Sequence, residues 1–242
     1  MNYVCADIHG RWDKYQAMLE DLNLGEDDKL YILGDVIDRG EDGIRILQDI
    51  MKRGNIFLFI GNHELFLYYC IQCDDEEWTE SWMRNGGRPT AQRFLELDDG
   101  EQDAILRLIA DSYVAIPDLN VEGKHYYLVH AYPDLRYTDR PVRVRDMGGD
   151  DLELLYNMVW RRVSDEQWKE DEILKKIREM GRNVLIGHTI TTYFCSASCG
   201  KDGRARIFRD PYFTGLDCGC AISGDQACLG VLRLEDEKEF YY

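Results

Sequence analysis

Several short apolar runs of this chain end directly in side chains able to bind a divalent metal or move a proton. Tyr3–Ala6 runs into Asp7-Ile8-His9-Gly10, Leu30–Leu33 into Gly34-Asp35-Val36-Ile37-Asp38-Arg39-Gly40, and Leu58–Ile60 into Gly61-Asn62-His63-Glu64. Two later runs end in Val129-His130 and Ile186-Gly187-His188. Four of the five histidines, His9, His63, His130 and His188, therefore stand at run ends. Carboxylate, imidazole and amide donors without thiolate suit hard or borderline cations such as Mn, Fe, Zn or Ni. Asp7, His9, Asp35, Asn62, His130 and His188 are too many ligands for one open tetrahedral ion. Two ions sharing a carboxylate accommodate them. Taken singly, each piece is ordinary: Asp-x-His at a strand end is usually a turn, Asn62 an Asx turn, and Asp38 or Arg39 half of a surface ion pair. Five such groups after five separate runs do not arise from independent turns.

The elements that must position these groups alternate along the first third of the chain. Strands are expected at Tyr3–Asp7, Leu30–Leu33 and Ile56–Ile60, and helices at Trp12–Leu22, Gly43–Lys52 and Glu64–Cys70. That alternation implies parallel βαβ units, whose ligands collect outside the carboxyl ends of the strands. The stretch Glu76–Asp111 reads as mostly helical, broken at Asn85-Gly86-Gly87. Further apolar runs follow at Tyr113–Ile116, Tyr126–Val129, Val184–Ile186, Ala205–Phe208 and Gly230–Leu234, with helices near Leu152–Val159 and Glu172–Arg182. No repeat, linker or low-complexity tract divides the chain, so one α/β domain over residues 1–242 is expected.

Composition narrows the function. The 242 residues carry 29 Lys+Arg against 46 Asp+Glu, a formal charge of −17, with 45% hydrophobic residues. That is enough apolar material for a core, and too acidic for a broad grip on nucleic acid or an anionic membrane surface. A phosphate-bearing substrate must be held by local cations. The N-terminus shows no basic region followed by an apolar run, and no stretch approaches the roughly 20 apolar residues of a membrane span, so a cytoplasmic protein is expected. The eight cysteines read as reduced thiols, since Cys70-Ile71-Gln72-Cys73 has no second pair to complete a zinc site.

The three leading blocks resemble the signature blocks of the calcineurin-like metallophosphoesterases, specifically the phosphoprotein phosphatase branch and the bacteriophage lambda protein phosphatase type within it. Ala6 stands where that family usually has Gly. The likeness extends through Trp82 with Asn85-Gly86-Gly87, Val129-His130-Ala131, Trp160-Arg161-Arg162 and Gly187-His188-Thr189. It implies a four-layer α/β/β/α sandwich with two mixed β-sheets. It further implies two divalent metals, manganese first, with Asp7, His9 and Asp35 on one and Asp35, Asn62, His130 and His188 on the other. A hydroxide bridging them would attack phosphorus in line. By the same resemblance His63 is the general acid, Asp38 orients it, and Arg39 and Arg162 grip the phosphoryl group; Arg162 is preferred to the adjacent Arg161.

The resemblance implies a serine/threonine protein phosphatase, acting on a phosphorylated protein or a small phosphoester. The alternative is a dinucleoside polyphosphate hydrolase such as a diadenosine tetraphosphatase, because that sister family shares the blocks and Leu216-Asp217-Cys218-Gly219-Cys220 resembles one of its strand ends. Glu64, where the sister family tends to have Asp, and Trp160-Arg161-Arg162 favour the phosphatase. A non-catalytic phosphate-binding module would have lost ligands, and none is missing. Lys201-Asp202-Gly203-Arg204-Ala205-Arg206 reads as a basic hairpin tip, either a solvated turn or a substrate-gathering patch. Glu76–Arg93, with Trp78, Trp82 and Arg88, reads as a substrate-side cap or as helical core.

Overall fold

Side-chain alternation along the strands builds the architecture, because successive residues of a strand face opposite sides. In this computed structural model, which describes residues 1–73, 75–148, 151–163, 167–194, 198–222 and 224–242, both sides of the central strands are apolar. In β1 (Asn2–Cys5), Tyr3 and Cys5 face one core and Val4 the other; in β2 (Lys29–Ile32), Leu30 and Ile32 separate likewise from Tyr31. In β5 (Lys124–Val129), Tyr127 and Val129 separate from Tyr126 and Leu128, and in β7 (Arg182–Ile186), Val184 and Ile186 from Leu185. The core holding Val4, Tyr31, Leu128 and Leu185 draws on both sheets and is the seam between them. The other core is shared with helices: Tyr15 and Met18 of α1 (Trp12–Leu22), Ile46 and Leu47 of α2 (Gly43–Ile50), Leu155 and Met158 of α7 (Leu152–Trp160), and Leu174 and Ile177 of α8 (Glu172–Glu179). Two mixed sheets thus lie between helices, as the family resemblance implies.

The first sheet has the order β11-β10-β1-β2-β3, with β3 at Ile56–Leu58, β10 at Gly230–Arg233 and β11 at Glu239–Tyr241. The second has the order β6-β4-β5-β7-β9-β8, with β4 at Tyr113–Val121, β6 at Val142–Arg143, β8 at Phe208–Arg209 and β9 at Phe213–Gly215. β1, β2 and β3 are mutually parallel, and so are β5, β7 and β9. Each sheet therefore offers three parallel carboxyl ends.

Some expected boundaries move. The helical stretch resolves into α4 (Glu76–Arg84), α5 (Arg88–Leu95) and α6 (Asp99–Asp111), preceded by α3 (Asn62–Gln72). The Asn85-Gly86-Gly87 break is where expected. A second break precedes α6, whose N-cap Asp98 accepts from Glu101 N–H in a capping box. β4 runs five residues past the expected Ile116, to a hairpin in which Glu122 and Gly123 both take positive φ. The expected helix ending at Arg182 stops at Glu179, because Gly181 at φ +79° turns the chain into β7. The expected strand Ala205–Phe208 is only a bridge from Ala205 to Cys199 followed by β8. Among the described residues no helix is long and apolar enough to cross a membrane, and every described cysteine is free; Cys195 lies outside them.

Candidate active site

All six parallel strands deliver a polar residue just past their carboxyl ends: Asp7 after β1, Asp35 after β2, Asn62 after β3, His130 after β5, His188 after β7 and Asp217 after β9. The backbone there is unusual. Asp7, His9, Asp35, Asp38, Arg39 and His188 all have φ between +49° and +69°, a region that side-chain-bearing residues seldom adopt and that concentrates at functional sites. Hydrogen bonds hold these turns: Asp7 N–H to Gly34 O (3.1 Å), His9 N–H to Asp35 O (2.9 Å) and Gly10 N–H to Val36 O (2.7 Å) tie the first two blocks together. The third block is tied by Glu64, fully buried, whose carboxylate accepts from the N–H groups of Asp35, Val36, Ile37 and Gly61. Two glycines permit the closest approaches, since a Cβ at Gly61 would overlap the Asp35 carboxylate and one at Gly187 the Asp7 carboxylate.

The sequence-selected residues converge. Asp7, His9, Asp35, Asp38, Asn62, His63, His130 and His188 are all buried, and Arg39 and Arg162 reach in from exposed positions. Ligand atoms of His9, Asp35 and His63 lie within 4.8 Å of one another, and so do those of Asp35, His130 and His188. Asp35 belongs to both clusters. Asp7 Oδ1 is 4.0 Å from His9 Nε2 on one side, and Asn62 Oδ1 is 3.2 Å from His130 Nε2 on the other.

The histidine tautomers follow from their backbone partners, because a carbonyl only accepts. His9 Nδ1 donates to Ile37 O (3.0 Å), His130 Nδ1 to Leu33 O (2.5 Å) and His188 Nε2 to Trp160 O (3.1 Å). Each ring therefore keeps a lone pair on its other nitrogen, as metal ligation requires. Burial holds all three rings below the ordinary imidazole value, His188 at about 3, so they are neutral and ready to ligate at neutral pH. Asp7 is pushed well up by burial and by the charges of Asp217 and Asp35. Burial also opposes the Asp35 charge, but the surrounding histidines outweigh it and hold that carboxyl well below the ordinary range. Buried carboxylates that repel one another beside neutral imidazoles fit divalent cations.

His63 differs from the other three. Its Nδ1 donates to Asp38 Oδ2 at 2.6 Å. Burial pulls its value down, but Asp35 and Asp38 raise it above the ordinary one. The guanidinium of Arg39 donates to His9 Nε2 (3.0 Å), and its other terminal nitrogen lies 3.2 Å from His63 Nε2. Arg162 donates to His188 O (3.0 Å) and, with Arg39, His188, Thr189 and Asp217, lines a cavity of about 540 Å³. Arg161 instead packs over the Tyr132 ring and pairs with Asp171.

Three residues outside the expected site belong to it. Glu64 was part of the third block but had no role; its acceptance of the Gly61 N–H at the start of α3 is the Glu half of a capping box, without the reciprocal N-cap side chain. Asp217 is buried between the two arginines' reach, with burial raising it to about 6. Trp82, read as cap or core, is buried core whose indole N–H donates to Asp38 Oδ2 (2.8 Å). The basic tip does not join the site: Arg206 and Arg204 pair with Asp202 beside them, at 2.7 and 3.8 Å.

Residues 3–219 match the family model of the calcineurin-like phosphoesterases. The chain belongs to that family. It is a metallophosphoesterase whose His and Asp clusters suit divalent metal ions. A symmetrical bis(5'-nucleosyl)-tetraphosphatase of Wigglesworthia glossinidia brevipalpis is 40% identical over 81 residues, 31% of this chain and 30% of the relative. The enzyme of that name from Delftia acidovorans is 28% identical over 131 residues, 53% of this chain and 43% of the relative. The matches thus span less than half of these relatives. A solved serine/threonine phosphatase from Saccharomyces cerevisiae superimposes on 100% of this metallophosphoesterase and 78% of its own chain, at TM-score 0.61 and 13% identity. A provisionally assigned diadenosine tetraphosphatase covers 100% and 92%, at TM-score 0.62 and 16% identity. At these identities the likeness is one of fold.

Proposed function

We propose that this metallophosphoesterase hydrolyses phosphoanhydrides and phosphoesters, with dinucleoside tetraphosphates as its first substrate class. The hydrolytic part rests on one observation, two donor clusters joined by Asp35 beside the Arg39 guanidinium. The substrate class is supported by the relatives, both symmetrical bis(5'-nucleosyl)-tetraphosphatases. In this reading Asp7, whose Oδ1 is 4.0 Å from His9 Nε2, takes the place of His63 in the first cluster, so that Asp7, His9 and Asp35 hold one cation and Asp35, Asn62, His130 and His188 the second, with manganese first among candidates for an oxygen and nitrogen donor set. Bound cations supply polarisation of the phosphoryl oxygens and acidification of water. The protein does the rest. Arg39 and Arg162 bind phosphoryl oxygens through charge-assisted hydrogen bonds and fix the group's orientation. His63 carries a proton on Nε2 to the leaving oxygen, and Asp38 holds its Nδ1–H so that the ring keeps that direction.

The serine/threonine protein phosphatase reading, first on sequence grounds, takes second place because the relatives named here favour the anhydride. Glu64 after His63, and Arg162 following Trp160-Arg161, still speak for it. A panel of diadenosine tetraphosphate, phosphopeptides and aryl phosphates with Mn²⁺ separates the two. Symmetrical cleavage of the tetraphosphate to ADP with the highest kcat/KM is expected; a higher kcat/KM on phosphopeptide reverses the order. No turnover of any of them would leave a phosphate-binding module.

A further inference from the structure

Asp38 receives two donors on one oxygen. Its Oδ2 accepts from His63 Nδ1 at 2.6 Å and from the Trp82 indole N–H at 2.8 Å, while Oδ1 has no hydrogen-bond partner among the described residues. All three side chains are buried. A carboxylate held by one donor can rotate about its Cβ–Cγ bond and exchange oxygens. Two donors arriving at the same oxygen from different elements remove that freedom. Asp38 is further fixed by its own backbone, at φ +69° with its N–H donating to Thr90 Oγ1 at 2.9 Å.

The indole is itself held in place. Trp82 ends the buried face of α4, and the chain turns back over it: the N–H groups of Asn85 and Gly87 both donate to Trp82 O at 3.1 Å. Gly87 lies directly on the ring, where any Cβ would overlap the indole nitrogen. A purely apolar role would not need the N–H aimed at a carboxylate, nor a glycine to let the ring through. The same turn meets the site from its other side, since Gly86 O accepts the Arg39 N–H at 2.9 Å.

We propose that Trp82 is a positioning residue for the reaction: by fixing the oxygen that Asp38 presents, it sets the direction in which His63 Nε2 faces the leaving group. Trp82 touches no reacting atom and acts only through Asp38. This rests on the general-acid reading of His63 given above.

The experiment compares wild type with Trp82→Phe, which keeps a buried ring and removes the N–H, on aryl phosphates from 4-nitrophenyl, a leaving group that needs little protonation, to unsubstituted phenyl. Trp82→Phe is expected to retain the wild-type metal content and lose about tenfold on phenyl phosphate, part of the roughly 10²–10⁴ that general-acid catalysis contributes, with less than about threefold on the nitro ester. In a His63→Asn background the same change should add nothing, as residues acting through one another are not additive. Gly87→Ala, which displaces the indole while leaving it in the core, should reproduce the pattern and stands in if the Phe variant fails to fold. Independently of turnover, the downfield Nδ1–H proton resonance of His63 should shift in either variant. Equal losses on the two esters, or an unmoved resonance in a folded variant, would overturn the proposal. If His63→Asn itself shows no leaving-group dependence, the general-acid reading fails while the resonance still decides whether Trp82 positions His63.

Discussion

The two sheets furnish the site in different ways. The first sheet supplies Asp7, His9, Asp35, Asp38, Arg39, Asn62 and His63 from three continuous blocks, laced to one another by backbone hydrogen bonds and by the four N–H groups that Glu64 collects. The second supplies His130, Arg162, His188 and Asp217 singly, each from a different stretch of chain. These hang on the first rim: His188 N–H donates to Asp7 Oδ2 at 2.9 Å, and His130 Nδ1 to Leu33 O. The first rim is a preformed frame and the second a set of attachments to it.

Asp35 is the one residue both donor clusters share, so its loss should have the largest effect. Asp35→Asn is expected to release both metals together and abolish hydrolysis, read by elemental analysis beside turnover. Retention of one tightly held ion would show that the rims bind independently. Next comes His63→Asn, which leaves every proposed ligand in place; kcat on poor leaving groups should fall about 10²–10⁴ with metal content unchanged.

A change confined to the frame's scaffolding should act on stability. Glu64→Ala strips four buried N–H groups of their acceptor, and denaturant unfolding should register a loss of roughly 3–5 kcal/mol. A loss below about 1 kcal/mol would mean the frame does not depend on that carboxylate.

The smallest effect belongs to the second rim and is pH-dependent. Asp217 has a folded value of about 6 against an ordinary 3.8, so the folded state holds its proton more tightly than the unfolded state. Wild-type stability therefore falls as pH rises from about 4 to 6 on account of this group, and Asp217→Asn, which can still accept the Gly219 N–H, escapes the fall. In chelator-treated protein the variant should gain about 2–3 kcal/mol over wild type between pH 4 and 7. A pH-independent difference would place the carboxylate's cost elsewhere.

The same contrast governs what could be read from sequence. β1, β2, β3 and α1 fall within two residues of the expected bounds, because short apolar runs end there in blocks rich in Gly, Asp and His. All ten expected site residues converge, since each follows an apolar run or a motif tied to one. What escaped was carried by weak local signals. β9 is three residues with no alternation to read, so Asp217 beyond it had only a family likeness to mark it. β6 and β8 are two residues each, and β11 is only half-buried. Trp82 was assigned to cap or core because tryptophan signals bulk, and only coordinates show where an indole N–H points. Of the two readings of the Lys201 to Arg206 tip, the solvated turn agrees with the ion pairs that Arg204 and Arg206 make to Asp202.

The two bonds from His188 and His130 to the first sheet cross the seam at its rim. The candidate site is thus not carried by either layer but stretched across their joint, much as a bolt spans two plates. Any sliding of one layer over the other separates Asp7 from His188 and Leu33 from His130 before it exposes the apolar seam. Turnover is then a strain gauge for the sandwich, and should register slippage of the layers while helices and strands are still intact.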